Sequence, residues 1–278
     1  MSTPYGAKSH DLDPARLKHA VRLVQWRDLA AMRPRDGLVE CIHPLPWLAA
    51  ALVLLAFGWW PLGIFAEFMF FLTALRLNHE AIHHNLGFGP RGHRFVLHAL
   101  STVMLGSNHS VAFNHLRHHR HINTEEDLEG KAGKMSLWQV LAYGPVFPIE
   151  CHWAALTEGG RAWRRKVLID LALNLVMPVL AFGFGFDFLT LHWLTMLAAQ
   201  CFTALFAVWI THRGCEDSAL VARSQRGRMV NAVSYNMFFH LEHHLFPAVP
   251  VRRLPLLAKR LEEVEPAIAK AIKPVVGR

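Results

Sequence analysis

His240-Leu241-Glu242-His243-His244 is the stretch whose reading decides the fold of this chain. Residues three and four apart share one face of a helix, so its three imidazoles aim at one point. His115-Leu116-Arg117-His118-His119 repeats the spacing, and His79-Glu80-Ala81-Ile82-His83 carries the i, i+4 half of it. Eight histidines in three convergent sets, far apart along the chain, require a fold that brings distant helices to one place.

The chain has 278 residues, 53% of them hydrophobic and only 18% charged. It is too apolar for an ordinary soluble domain of this length and reads as one all-α integral membrane domain, residues 1–278. A net charge of +8 would suggest nucleic acid in a soluble protein, but here its distribution matters more. Residues 1–44 are polar, lack the pattern of a cleaved signal peptide and are expected to stay on the cytosolic side. Cys41, Cys151, Cys201 and Cys215 are scattered, which suggests neither a disulfide framework nor a thiolate metal site.

Leu45 to Leu77 contains only Glu67 and Arg76 as charges and is broken by Trp59-Trp60-Pro61-Leu62-Gly63. The spacing predicts a tight helical hairpin over 45–83. A second hairpin is expected over 167–211: Val167 to Phe186 carries only Asp170, and Phe188 to Ile210 carries no formal charge. Every Lys and Arg except Arg76 lies in the remaining segments, 1–44, 84–166 and 212–278. The positive-inside rule therefore gives four crossings, with both termini and the middle segment cytosolic. The stretches Phe95 to Phe113 and Ser136 to Trp153 are too polar or too broken to span and read as in-plane helices, and Arg252 to Lys273 as an amphipathic helix. Glu67 and Arg76 should face the protein interior.

This topology puts the histidine sets on one side. From Pro61 to His79 a helix rises ~27 Å, close to the ~30 Å hydrocarbon thickness. His79 thus emerges at the cytosolic surface, and the fourth crossing delivers His212 to the same surface. Neutral imidazole suits iron, zinc, copper and nickel, and so many imidazoles exceed the four to six ligands of one ion. Two metal ions are expected.

The three boxes, the four crossings and the run His240-Leu241-Glu242-His243-His244-Leu245-Phe246-Pro247 resemble the membrane fatty acid desaturase and hydroxylase superfamily, from Leu45 to Pro250. The resemblance implies an all-helical fold with a helical cytosolic cap and two irons that work with dioxygen. Carried over, it gives the ligands His79, His83, His115, His118, His119, His240, His243 and His244, with His212 as a ninth at the cytosolic end of the fourth crossing. An unactivated alkyl C–H bond has no acidic proton and no electrophilic carbon, so side chains alone cannot break it; a redox-active metal pair can. Neutral imidazoles leave the ions' charge uncancelled, so carboxylates should stand behind the ligands. Glu80, Glu242 and Asp127 are candidates, with Glu125 and Glu126 beside it. His84 and His121 adjoin the boxes and read as supporting histidines.

The resemblance implies desaturation of a fatty acyl chain lying in the bilayer, with hydroxylation, decarboxylation or ketolation as alternatives at the same centre. The only His-Pro is His43-Pro44, so no fused haem domain is marked. Electrons are expected from a separate ferredoxin-like or other small redox carrier, on a basic face around Arg223, Arg226, Arg228, Arg252 and Arg253. The setting expected is a bacterial inner membrane. Two rivals come from other classes. His79-Glu80-Ala81-Ile82-His83 is a literal zinc-protease motif, but it would leave both H-x-x-H-H boxes without a role. A membrane cytochrome needs histidines deep within crossings, where only His192 lies. A metal carrier without enzymatic activity would share the spacing and consume no dioxygen.

Overall fold

The computed structural model describes residues 12–277, and every regular element among them is a helix. Three helical stretches are long and apolar enough to cross a membrane: Pro34–Ala56, Trp60–Ile82 and Gly160–Phe184. Asp187–Gln200 with Ala204–His212 makes a fourth if counted as one span bent by 44°. The first begins eleven residues before the expected Leu45, because Pro44 and Pro46 fall at the first turn of the Leu45–Ala56 helix, where proline removes no hydrogen bond. The second expected break occurs, at Gly185, but the first lies earlier than expected, at Phe57–Trp59: Trp60-Pro61-Leu62-Gly63 opens the Trp60–Ile82 helix, because Pro61 in the first turn starts a helix rather than ending one. Gly185 closes its helix in the left-handed conformation, φ 68°.

The expected in-plane helices are each two helices. Leu105 (φ 56°) and Gly106 (φ 88°) separate Pro90–Met104 from Asn108–His121, and Gly144-Pro145 separates Leu137–Tyr143 from Val146–Thr157. The C-terminal amphipathic helix likewise divides, into Leu254–Val264 and Ala267–Ala271, at Pro266. The buried stripe Leu254, Leu257, Ala258 and Leu261 shares one core with Leu17 and Ala20 of the Pro14–Leu23 helix, with Val24 just past its end, and with Leu241 and Phe246. Both polar ends of the chain thereby wrap the third histidine box. Burying these side chains supplies roughly 1.5–3 kcal/mol each for the larger ones.

The fourth candidate span is irregular where it approaches the boxes. Ala204–Trp209 is a π-helix, followed at once by Ile210–His212. Such windings cluster at functional sites because they re-aim the side chains that follow.

Candidate metal centre

The first box rides on Trp60–Ile82, whose last turns are wholly buried. The helix stops because His84 takes a left-handed φ of 60°. The second box fills the end of Asn108–His121, started by the Ser107 hydroxyl accepting from Ser110 N. The third is the six-residue helix His240–Leu245. Two bonds lash the first to the third: Val251 N donates to Glu80 at 3.2 Å, and Asn85 Nδ2 donates to the Pro247 carbonyl at 2.9 Å.

All nine expected histidines meet, in two groups. In the first, Nε2 atoms follow one another as His79–His243 at 2.9 Å, His243–His119 at 2.9 Å, His119–His115 at 3.2 Å and His115–His83 at 3.0 Å. In the second, His118–His212 stand at 3.3 Å, His212–His240 at 2.9 Å and His240–His244 at 3.2 Å. Within these, His79, His83, His115 and His243 offer atoms mutually within 4.8 Å, and so do His118, His212 and His244. The groups adjoin, the His119 and His244 rings stacking with centroids 4.4 Å apart.

The protonation pattern tests whether cations fit. His115 Nδ1 lies 3.0 Å from Glu129, His118 Nδ1 2.9 Å from Asp127, and His212 Nδ1 3.0 Å from the Val221 carbonyl. Those oxygens accept, so each Nδ1 carries the hydrogen and each Nε2 turns a lone pair inward. With both rings neutral, His118 and His212 therefore face each other acceptor to acceptor. A single proton can bridge one such pair but cannot serve four or five converging nitrogens; a metal ion can. Metal–nitrogen bonds of ~2.1 Å put neighbouring ligand atoms ~3.0 Å apart at right angles and ~3.4 Å apart in a tetrahedron. The 2.9–3.3 Å separations are of that size.

Electrostatics agree. Burial first, then the neighbouring rings, pull His119, His240, His243 and His244 well below the usual histidine range; they stay neutral, the form that ligates. Burial also pushes His118 down, but the hydrogen bond to Asp127 and the charges of Glu129 and Asp127 outweigh it and raise it, so that a proton on its Nε2, between His118 and His212, competes for the place a metal ion would take. Burial works against ionising Asp127, yet its hydrogen bonds keep it below the ordinary carboxylate range. Asn123 N and Gly130 N both donate to it, at 3.0 and 2.8 Å. A Cβ on Gly130 would stand 2.2 Å from Asp127 Oδ2, so only glycine fits.

The remaining candidates lie as follows. Glu80 is fully buried and 3.8 Å from His79 Nδ1, its oxygens engaged by Val251. That leaves it holding backbone rather than standing as the free base a zinc protease requires. Glu242 touches no ligand histidine; it accepts from Ser224 Oγ and Arg226 Nη2, each at 2.5 Å, and fixes the loop beside the third box. His84 is exposed and lies against His93, and His121 sits 3.4 Å from Glu126 at the surface. Glu125 and Glu126 are exposed. Glu129 behind His115 is the partner that sequence reasoning missed. Glu67 and Arg76 are buried: Glu67 meets His192 Nδ1 at 2.7 Å, and Arg76 pairs with Glu40 and donates to the Tyr235 carbonyl. His192 Nε2 is engaged by the Val103 carbonyl, so that ring has no nitrogen left for a haem.

An apolar cavity of about 470 Å³ ends on His79, His115 and His240. It runs between Trp60–Ile82 and the Thr203–Thr211 stretch, walled by Leu72, Leu75 and Val208, and the Phe68 and Phe206 rings meet at 5.6 Å in its wall.

Residues 45–274 match the fatty acid desaturase family. The chain is also similar to the beta-carotene ketolase of Paracoccus sp. (strain N81106 / MBIC 01143), 25% identical over 185 residues that cover 64% of this chain and 70% of that protein. A match over that length, with three histidine boxes drawn together beneath membrane-length helices, has one reading: this is an integral membrane oxidoreductase, and the chain belongs to the fatty acid desaturase family.

Proposed function

We propose that the protein is a dioxygen-dependent di-iron enzyme that oxidises a long apolar lipid chain, with desaturation of a fatty acyl chain as the leading reaction. The observation that carries this is the apolar cavity ending on histidines of both groups, His79 and His115 of one and His240 of the other. His79, His83, His115, His119 and His243 would hold one iron, and His118, His212, His240 and His244 the second. Iron bound there supplies the redox chemistry with dioxygen that breaking an alkyl C–H bond demands.

The chain's own residues do the rest. Leu72, Leu75 and Val208 exclude water from the chain and lay it along the Trp60–Ile82 helix. Asp127 and Glu129 fix the His118 and His115 rings in the tautomer that points Nε2 inward, and their charge offsets part of the ions'. Both termini and the histidine groups would face the cytosol in a two-hairpin arrangement. Electrons would arrive from a separate small redox carrier. Arg223, Arg226 and Arg253 of the expected basic face are engaged internally, by Pro274 and Arg213 carbonyls, by Glu242 and Glu262, and by Leu29 and Ala31 carbonyls. Arg252 lies 3.8 Å from Asp36 and 3.9 Å from Glu40, which leaves Arg228 the freer part of the face.

The similarity to a ketolase favours a second reading, insertion of oxygen into the same chain. Metal analysis of the purified protein, with lipid mass spectrometry of cells making it or its His243→Ala variant, tests both. Two irons per chain and a new double bond are expected. A new hydroxyl or ketone would select the second reading, and one zinc with unchanged lipids would sink both.

A further inference from the structure

The nine histidines divide a second way, by exposure. His79, His115, His118, His212, His240 and His243 are buried, whereas His83, His119 and His244 are partly exposed. The three exposed rings stand in a row, with centroids 4.7 Å apart from His83 to His119 and 4.4 Å from His119 to His244. His83 and His119 belong to one group and His244 to the other, so a single patch of surface meets both. None of the three lines the apolar cavity, which ends on His79, His115 and His240. The centre therefore has two faces, one turned to the cavity and one to the surface.

Hydrogen bonding separates the same rings. Nδ1 of His115, His118 and His212 is engaged by Glu129, Asp127 and the Val221 carbonyl. The contacts of His83, His119 and His244 all run through Nε2, leaving each Nδ1 without a partner among the described residues. Unlike the unpartnered Nδ1 atoms of His79 and His243, these three are not enclosed. Around them the surface is apolar at its centre and basic at its rim. Leu116, three residues before His119, is 37% exposed. Arg120 is exposed, as are Arg91 and Arg94, which flank His93, and the His93 ring meets that of His84 at 4.6 Å. None of these three arginines has an acidic partner among the described residues. On the adjoining segments Glu158 pairs with Arg117 and Glu126 lies 3.4 Å from His121, while Glu125 is exposed.

We infer that this patch is where the electron carrier docks: a small acidic redox protein whose apolar contact covers Leu116 and whose carboxylates meet Arg120, Arg91 and Arg94. An apolar centre within a charged rim is the ordinary build of such an interface. The inference rests on the proposed function and gives its electron supply a place. In each encounter the reduced carrier loses one electron, which crosses an exposed imidazole and reduces one ferric ion behind it to ferrous; two encounters reduce a diferric pair. Substrate and electrons arrive on opposite faces, so a filled cavity does not obstruct the carrier.

The probe is an acidic plant-type [2Fe–2S] ferredoxin, and the full-length protein is held in nanodiscs of zwitterionic lipid. Ferredoxin binding is measured on iron-loaded and iron-free protein. Stopped flow then follows oxidation of reduced ferredoxin by the iron-loaded protein, with reduced methyl viologen as a donor that needs no docking. Arg120→Glu, and Arg91→Glu combined with Arg94→Glu, should each weaken ferredoxin binding about tenfold and slow its oxidation as much. Iron content and the methyl viologen rate should stay within about twofold of wild type, and high salt should shrink the loss because the charges are exposed. Arg228→Glu, on the face expected from the sequence, should change binding by less than about twofold. Binding unmoved in both patch variants, a larger loss in Arg228→Glu, or wild-type binding no tighter than to empty nanodiscs would overturn the inference. Protein that takes up no iron, or oxidises neither donor, would defeat the di-iron reading, whereas patch-dependent binding to iron-free protein would leave the docking surface standing.

Discussion

The nine-histidine centre and the cluster of His98, His109 and Asp170 use the same residue types and answer opposite needs. By distance alone each offers ligand atoms within 4.8 Å of one another. Around Asp170, donors face an acceptor: His98 Nδ1 at 2.5 Å, His109 Nδ1 at 2.9 Å, Ser107 Oγ at 2.6 Å and His109 N at 3.1 Å. One buried carboxylate is fully employed by donors of this chain, although His109 Nε2 beside it has no partner among the described residues. In the nine-histidine centre His115, His118 and His212 in their neutral forms turn Nε2 lone pairs toward other imidazoles, while their Nδ1 donors point outward to Glu129, Asp127 and Val221. That arrangement leaves acceptors a cation could bind. Proximity of histidines is thus a weak sign of a metal, and the direction of the hydrogen atoms is a strong one.

Three experiments would break or sharpen the contrast. The largest effect belongs to His243→Ala, which removes the nitrogen standing between His79 and His119. Turnover should fall by more than about 100-fold, since even the partners behind metal ligands are worth about 10–100-fold; retained iron and activity would dissolve the five-histidine group. Next, Asp127→Asn keeps an acceptor for His118 but deletes the charge. Iron affinity should drop by about 10–100-fold, read by competition with a chelator. The smallest effect separates the two regions most cleanly. Asp170→Asn should cost about 1–3 kcal/mol of stability, seen in thermal unfolding, with iron content untouched. Iron lost from Asp170→Asn would show that the second cluster, too, answers to a metal.

What was legible in the sequence follows from range. The eight box histidines lie three and four apart, so helical periodicity alone sets each box on one face, and His212 followed from the resemblance, which expects a further histidine at the end of the fourth crossing. The partners behind them were harder. Thr124 to Glu126 are exposed while Asp127 and Glu129 are buried, and the turn that sorts them depends on Gly130 clasping Asp127. Nothing local distinguishes Glu129 from Glu125 before that turn forms. The Asp170 cluster joins residues 61 and 72 positions apart, beyond any periodicity. Glu67 was legible as interior-facing because a carboxylate cannot face lipid, but its partner His192, 125 residues away, was not. The start of the first span was missed because prolines read as breakers sit in a first turn that tolerates them.

The π-helix at Ala204–Trp209 carries a last implication. It holds a surplus residue relative to regular winding, so excising one, Ala207 for instance, would let the stretch relax to a regular helix with His212 still turned toward its group. The same deletion in a regular turn would swing whatever follows by about 100°. The facing of His212 is thereby buffered against the loss of one codon where the winding is loose.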